Sequence, residues 1–139
     1  MIETKSPTFN IRDAPVYDDV ILATVKVPPI KCQGIKTKLV EWIKDHSSLD
    51  RNSTWIEPFM GSGVVGFNMR PSRAVFADIN PHIINFYNAV KQGKITAGIA
   101  KEFLEKEGAH LQAKGEDHYY EIRERFNKNG NPLDMLFLN

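Results

Sequence analysis

Gly61-Ser62-Gly63-Val64-Val65-Gly66 spells GxGxxG near the middle of the chain, after a short apolar run and before a segment with helical character. In that setting the glycines have a chemical use. Without Cβ atoms the backbone can turn sharply and approach a ligand closely, and the free N–H groups at the start of the next helix face it. A turn that serves packing alone carries the same letters, so a second signal is needed. Asp78 is that signal, because it ends the next apolar run. At the end of a neighbouring parallel strand, its two oxygens lie where both hydroxyls of a ribose can be accepted. Loop and acid together read as a site for adenosine.

Such a pair serves NAD or S-adenosylmethionine, which differ in what the loop must face: a doubly charged pyrophosphate, or a methionine ammonium and carboxylate. Glu57, just ahead of the glycines, would repel pyrophosphate and attract the ammonium, directly or through water. Its bland alternative is a solvated acid at a strand end. Upstream, Lys31 and Lys36 flank the turn Cys32-Gln33-Gly34-Ile35 at the start of a helix, a grip for a carboxylate. Lysine there opposes the helix dipole, so Lys36 needs a compensating partner unless it is simply solvated on a polar face.

Other chemical signals are weaker. Tyr119 to Asn127 interleaves aromatics with arginines, as nucleic-acid binders do. Packing explains it better: Tyr119, Arg123 and Phe126 share one helical face, and Glu121 and Glu124 offset the arginines. His46, His82, His110 and His118 show no metal-ligand spacing and Cys32 has no partner cysteine, so no metal site is expected.

The elements that must position these residues follow from periodicity and punctuation. Val20 to Val27 is a short β-like run closed by Pro28-Pro29, and Leu39, Val40 and Ile43 make Lys36 to Asp45 an amphipathic helix. Trp55, Ile56 and Phe59 form a buried-strand pattern before the glycine loop, and Val64 to Met69 starts a helix. Ala74 to Ala77 is a second strand. Asn80 caps a helix with Pro81 at its first position, carrying Ile83, Ile84, Tyr87 and Val90 on one side and stopping near Gly93. A helix ending at Gly108 and another over Tyr119 to Asn127 follow, then the turn Asn129-Gly130-Asn131-Pro132. The final Leu133 to Asn139 begins an apolar element that nothing after it covers.

Composition sets the outer bounds. The 139 residues, 42% of them hydrophobic, suffice for one compact domain, and 18 basic against 17 acidic residues give no electrostatic footprint for or against DNA. A single cysteine cannot close an internal disulfide, and no segment has the ~18 apolar residues of a membrane helix, so the expected protein is soluble, membrane-free and cytoplasmic.

Together these residues resemble the Dam-type, D12-class family of DNA adenine-N6 methyltransferases. The resemblance rests on Gln33-Gly34-Ile35-Lys36, Glu57-Pro58-Phe59-Met60-Gly61-Ser62-Gly63 and Ala77-Asp78-Ile79-Asn80, in the family's order and spacing. It extends through Tyr87 to Lys91, Tyr119-Tyr120, Arg123-Glu124, Phe126-Asn127 and Leu136 to Asn139, covering residues 29–139. E-P-F-x-G-S-G followed by A-D-I-N is far more specific than GxGxxG alone and displaces the NAD reading.

The resemblance implies an α/β, Rossmann-like, S-adenosylmethionine-dependent fold, incomplete in that only the N-terminal half of the sheet is present. Residues 29–139 would be a partial methyltransferase domain behind an N-terminal extension, residues 1–28. By resemblance Asp78 belongs to the ribose and Ile79 and Asn80 to the adenine surroundings. Glu57, Pro58, Phe59, Gly61, Ser62 and Gly63, with Cys32, Gln33, Gly34 and Lys36, belong to the methionine part. Cys32 stands where family members often carry an aromatic residue, so one wall of the pocket differs. In the intact family the target adenine is flipped from double-stranded DNA and its N6 attacks the sulfonium methyl in line, helped by positioning and electrostatics.

The family's D-P-P-Y-type motif, which holds the adenine amino group, has no counterpart here: neither Asp-Pro-Pro nor Asn-Pro-Pro occurs. The expected function is therefore the cofactor-binding portion of a site-specific methyltransferase, of a restriction-modification or phage system, inactive alone and needing a complementary half. The alternative is a catalytically inactive S-adenosylmethionine-binding or interaction module. An open sheet edge and an exposed C-terminal segment are expected, with self-association or a partner chain to cover them.

Overall fold

The computed structural model describes residues 25–50 and 52–139. Positions 20–24 of the expected N-terminal extended run lie outside them. A 3-10 turn, Thr37–Leu39, leads into α1 (Val40–His46), and then come strand β1 (Trp55–Glu57), α2 (Val64–Met69) and strand β2 (Ala74–Phe76). Four helices follow: α3 (Pro81–Lys91), α4 (Ala97–Lys114), α5 (Glu116–Asn129) and α6 (Pro132–Leu138). The strand-helix-strand-helix order read from the sequence is present, and the helix expected from Lys36 starts instead as the tighter 3-10 turn.

β1 and β2 pair in parallel, Trp55 opposite Ala74, Ile56 opposite Val75 and Glu57 opposite Phe76. Parallel strands need a crossover, and α2 supplies it. One sheet face carries the half-buried Glu57 and Phe76 against α2. The approach is close: a Cβ on Gly66 would stand 2.2 Å from the Phe76 ring and 2.6 Å from Glu57 Oε2. Alternation puts Ile56 and Val75 on the opposite face, where they are 67% and 53% exposed. Parallel sheets normally bury both faces under helices. Among the described residues nothing covers this one.

The apolar interior falls into two clusters. Val25, Val40, Val64 and Val65 join α1 to α2, with Ile43, Trp55 and Met69 at the margin. Lys26 adds a backbone clasp there, its N–H donating to the Asn68 side-chain oxygen and its carbonyl accepting from the Asn68 amide. Ile30, Phe86, Ala89 and Ile95 form the second cluster, and Leu133, Met135 and Leu136 of α6 pack against it. The buried stripe of α3 is Ile83, Phe86 and Ala89, not the expected one that included Val90, which is exposed.

Three further expectations are corrected. The helix expected to end at Gly108 continues to Lys114 and stops only at Gly115, whose φ of 65° breaks it. Glycine inside a helix costs only about 1 kcal/mol relative to alanine, too little to end one that its neighbours support. Next, the C-terminal apolar segment is not exposed. As α6 it lies half-buried on α3, α4 and α5, its Asp134 is wholly buried, and Asn139 exchanges hydrogen bonds with the backbone of Lys31. Last, the packed face of α5 is His118 and Ile122, while Tyr119 and Arg123 are exposed; Glu121 pairs with Lys114 and His118, and Glu124 with Lys128, instead of with arginines. A one-residue shift in a helical stripe turns the face by roughly 100°. No helix is long and apolar enough to cross a membrane among the described residues.

Candidate functional site

The glycine loop sits at the carboxyl ends of the two strands, tied into the sheet by its own backbone. The Ala77 N–H donates to the Glu57 carbonyl and the Met60 N–H to the Ala77 carbonyl, both at 2.9 Å, so loop and A-D-I-N turn are held side by side. Gly61 and Gly63 adopt φ of 51° and 75°. Gly63 is doubly constrained, because a Cβ there would lie 2.4 Å from the Phe67 ring. Gly66, by contrast, is helical and serves packing against Phe76. The three glycines of the motif thus have different reasons, two in the turn and one in the layer beneath.

Asp78 closes the loop. Its Oδ2 accepts the Gly61 N–H at 2.8 Å and its Oδ1 accepts the Asn80 N–H at 2.9 Å. A carboxylate has about four acceptor positions, so each oxygen keeps capacity for a further donor. Asn80 in turn caps α3, its side-chain oxygen accepting the His82 N–H at 3.0 Å. Glu57 is also partly committed: Oε2 accepts the indole N–H of Trp55 and the N–H of Gly66, both at 3.1 Å. It therefore satisfies one of the orphan donors in the first turn of α2, a favourable place for a carboxylate near the positive end of a helix.

A cavity of about 160 Å³ gathers the predicted residues. Cys32, Gln33, Gly34, Lys36, Glu57, Phe59, Gly61, Ser62 and Asp78 line it. Of the other predicted residues, Gly63, Pro58, Ile79 and Asn80 lie beside this lining without belonging to it. Phe59 is 84% and Ile79 94% exposed, so both stand out from the protein at the mouth of the site. Lys36 has its compensating partner, its ammonium donating to the Gly34 carbonyl at 2.6 Å in the turn that Gly34 makes with φ of 74°.

One residue carried no sequence signal for the site. Tyr87 of α3 donates its hydroxyl to the Ser62 carbonyl at 2.6 Å and stacks edgewise near Phe67 and Phe86, pinning the glycine loop from behind. Burial, and secondarily the nearby Cys32, push its phenol well above the usual range, so it stays a donor. Met60, inside the E-P-F-x-G-S-G motif, is buried and lines the cavity. Cys32 faces the same carboxylate as the loop: burial first and the Asp78 charge second raise its thiol above the ordinary value, which keeps it neutral.

Residues 33–138 match the family model of the D12 class N6 adenine-specific DNA methyltransferase. The chain is 36% identical over 112 residues to a DNA adenine methylase of Escherichia coli K12, covering 78% of this chain and 38% of that protein. It is 34% identical over 115 residues to a DNA adenine methylase of Vibrio cholerae serotype O1 and 33% identical over 119 residues to one of Haemophilus influenzae, covering 79% and 81% of this chain and 39% of each relative. No solved structure matches it significantly. This chain belongs to the D12 class of N6 adenine-specific DNA methyltransferases. It spans about two fifths of the length of the curated relatives it matches.

Proposed function

We propose that residues 29–139 are the S-adenosylmethionine-holding part of a Rossmann-like DNA adenine-N6 methyltransferase of a restriction-modification or phage system, working in the cytoplasm. On this reading the extension, residues 1–28, precedes it, with Val25 and Lys26 leaning on the core. The observation that carries the reading is the convergence of two separate acids, a lysine turn and a glycine loop on one small cavity. Its donor and acceptor set matches the cofactor's polar end: Glu57 for the ammonium, the Gln33 to Lys36 turn for the carboxylate, and Asp78 for the ribose hydroxyls. At about 160 Å³ the cavity is below the roughly 300 Å³ at which drug-sized ligand sites begin, so it would hold the methionine part, with Ile79 and Asn80 left for the adenine surroundings. When bound, the cofactor supplies an electrophilic methyl group. The chain's own residues bind and orient it, and the neutral Cys32 thiol beside Asp78 adds no competing charge.

Acceptor chemistry requires more than this. No Asp-Pro-Pro or Asn-Pro-Pro occurs in these 139 residues, so on this reading the groups that hold the flipped adenine lie outside them and these residues alone do not methylate double-stranded DNA. The uncovered sheet face at Ile56 and Val75 and the apolar groove of about 660 Å³ beside β2 are where a complementary methyltransferase segment, or a second copy of the chain, would dock. Calorimetry with S-adenosylhomocysteine tests the site. Asp78→Ala should weaken binding by about 1.5 to 3 kcal/mol, the range for hydrogen bonds to a charged group. Equal affinity in the variant would remove Asp78 from the site, and preference for NADH would end the reading. Binding without methylation after mixing with a polypeptide carrying the D-P-P-Y half would leave a non-catalytic cofactor-binding module.

A further inference from the structure

We propose that Glu107, His110 and His118 form a binding site for a zinc-class divalent metal ion that staples α4 to α5. The residues are distant from the cofactor motifs in sequence and none of them lines the cavity described above. Glu107 and His110 are three apart on α4 and so share a face. The break at Gly115 folds α5 back and delivers His118 to the same point. One ligand atom from each of the three lies within 4.8 Å of the others.

The spacing is close to what a metal needs. With ligand atoms about 2.0 to 2.1 Å from a tetrahedral ion, neighbouring ligands stand roughly 3.4 Å apart. His110 Nδ1 is already 3.6 Å from Glu107 Oε2. His118 Nε2 is hydrogen-bonded to the same oxygen at 2.7 Å and has to open by only roughly 0.7 Å to reach tetrahedral spacing. Imidazole nitrogens with one carboxylate suit zinc, nickel, cobalt or copper better than magnesium or calcium, which prefer oxygen shells.

The surroundings are built in the same sense. Glu121 Oε2 lies 3.2 Å from His118 Nδ1, placed to accept an Nδ1 proton once an ion displaces the Nε2 proton that Glu107 now accepts, the carboxylate-histidine-metal arrangement that orients ligands. Lys114 holds Glu121 from the other side at 3.2 Å. Glu107 divides its two oxygens: Oε2 faces the histidines and Oε1 faces Arg125 at 3.5 Å. The guanidinium beside the site is itself matched by the buried Asp134, with Nε to Oδ2 at 2.9 Å and Nη2 to Oδ1 at 2.5 Å, which limits its repulsion of a cation. Glu107 is held between the His118 ring and the Arg125 guanidinium, which fixes the orientation of its carboxylate. Glu107 and His118 are buried while His110 is 49% exposed, which leaves an entry path and a fourth position open to water. Through Arg125 and Asp134 the same network reaches α6, so an ion here would brace the whole helical half.

Titration of the full chain with Co²⁺, read by its visible absorption, and with Zn²⁺ by competition tests this. Expected are one equivalent bound, the intense spectrum of four- or five-coordinate cobalt, and a higher melting temperature with Zn²⁺. His110 is half-exposed, so His110→Ala should keep the fold, checked by circular dichroism, yet lose at least tenfold in affinity. Glu121→Gln should lose roughly tenfold or more through the misoriented His118. A folded wild-type chain that binds no ion, an affinity that His110→Ala does not change, or a sulfur-to-cobalt charge-transfer band from Cys32 would each overturn the proposal.

Discussion

Around the two-stranded sheet, Ile56, Val75, Phe59 and Ile79 stand more than half exposed, whereas in the helical half Phe86, Ile122 and Asp134 are almost wholly buried and every residue of α6 is at least half-buried. The two regions differ in how their elements find partners. Helices joined by short turns meet their neighbours locally, so α4, α5 and α6 pack on one another, and α6 closes on the cluster of Ile30, Phe86 and Ala89. A parallel sheet cannot do this, since each added strand needs a crossover and both faces need cover. The residues proposed to hold the cofactor sit on the open region, and the closed region holds their turn in place: Ile30 is buried among Phe86, Ala89 and α6 residues, and Asn139 clamps Lys31, which fixes the start of the Cys32 to Lys36 turn. The helical half, closed with Ile30, thus positions one wall of a proposed site whose other side is open.

That contrast can be broken from either side. The largest effect is expected in the closed half, where Phe86→Ala removes a fully buried ring and should cost about 3 to 5 kcal/mol in urea denaturation. A loss below about 1 kcal/mol would mean that the helical half is not the stabilising core. Next is Gly66→Ala in the sheet region, where the new methyl would meet the Phe76 ring and the Glu57 carboxylate. The cost should be about 1 to 3 kcal/mol for overpacking, together with weaker S-adenosylhomocysteine binding as Glu57 is displaced. Its counterpart is Gly108→Ala in α4, where a Cβ meets nothing within 4 Å. There the sign reverses, and the variant should gain about 0.5 to 1 kcal/mol in the same assay. Equal effects at the two glycines would erase the distinction between a layered site and a solvated helix. The smallest change in stability belongs to Ile56→Thr on the uncovered face, within about 0.5 kcal/mol, because the side chain is already mostly exposed. Light scattering should nevertheless show less association at high concentration, and an unchanged profile would argue against an interface there.

Legibility followed the range of the interactions. Asn80 as a cap, the turn glycines, the strand at Ala74 and the acid after it are governed by neighbours in the chain, and the structure places them where local chemistry demands. Misreadings occurred where a distant partner decides. Gly108 looked like a stop, but the residues that keep α4 helical past it lie along its own length and on α5. Leu133 to Leu138 looked unpartnered because their partners, Ile30, Phe86 and Ala89, are more than forty residues earlier. Tyr87 looked like one more apolar position because the carbonyl it caps belongs to Ser62, 25 residues away.

By itself the sequence determined the family, the order of strand, glycine loop, strand and acid, and the identity of the groups available to a cofactor. Those are properties of short motifs, whose backbone conformations are set within a few residues. Only the tertiary structure decided that Glu57 spends one oxygen on the first turn of α2, that Asp78 ties the glycine loop to the A-D-I-N turn, and that His110 and His118 meet over Glu107. Each of these depends on side chains brought together from separate elements, at distances that no spacing along the chain encodes.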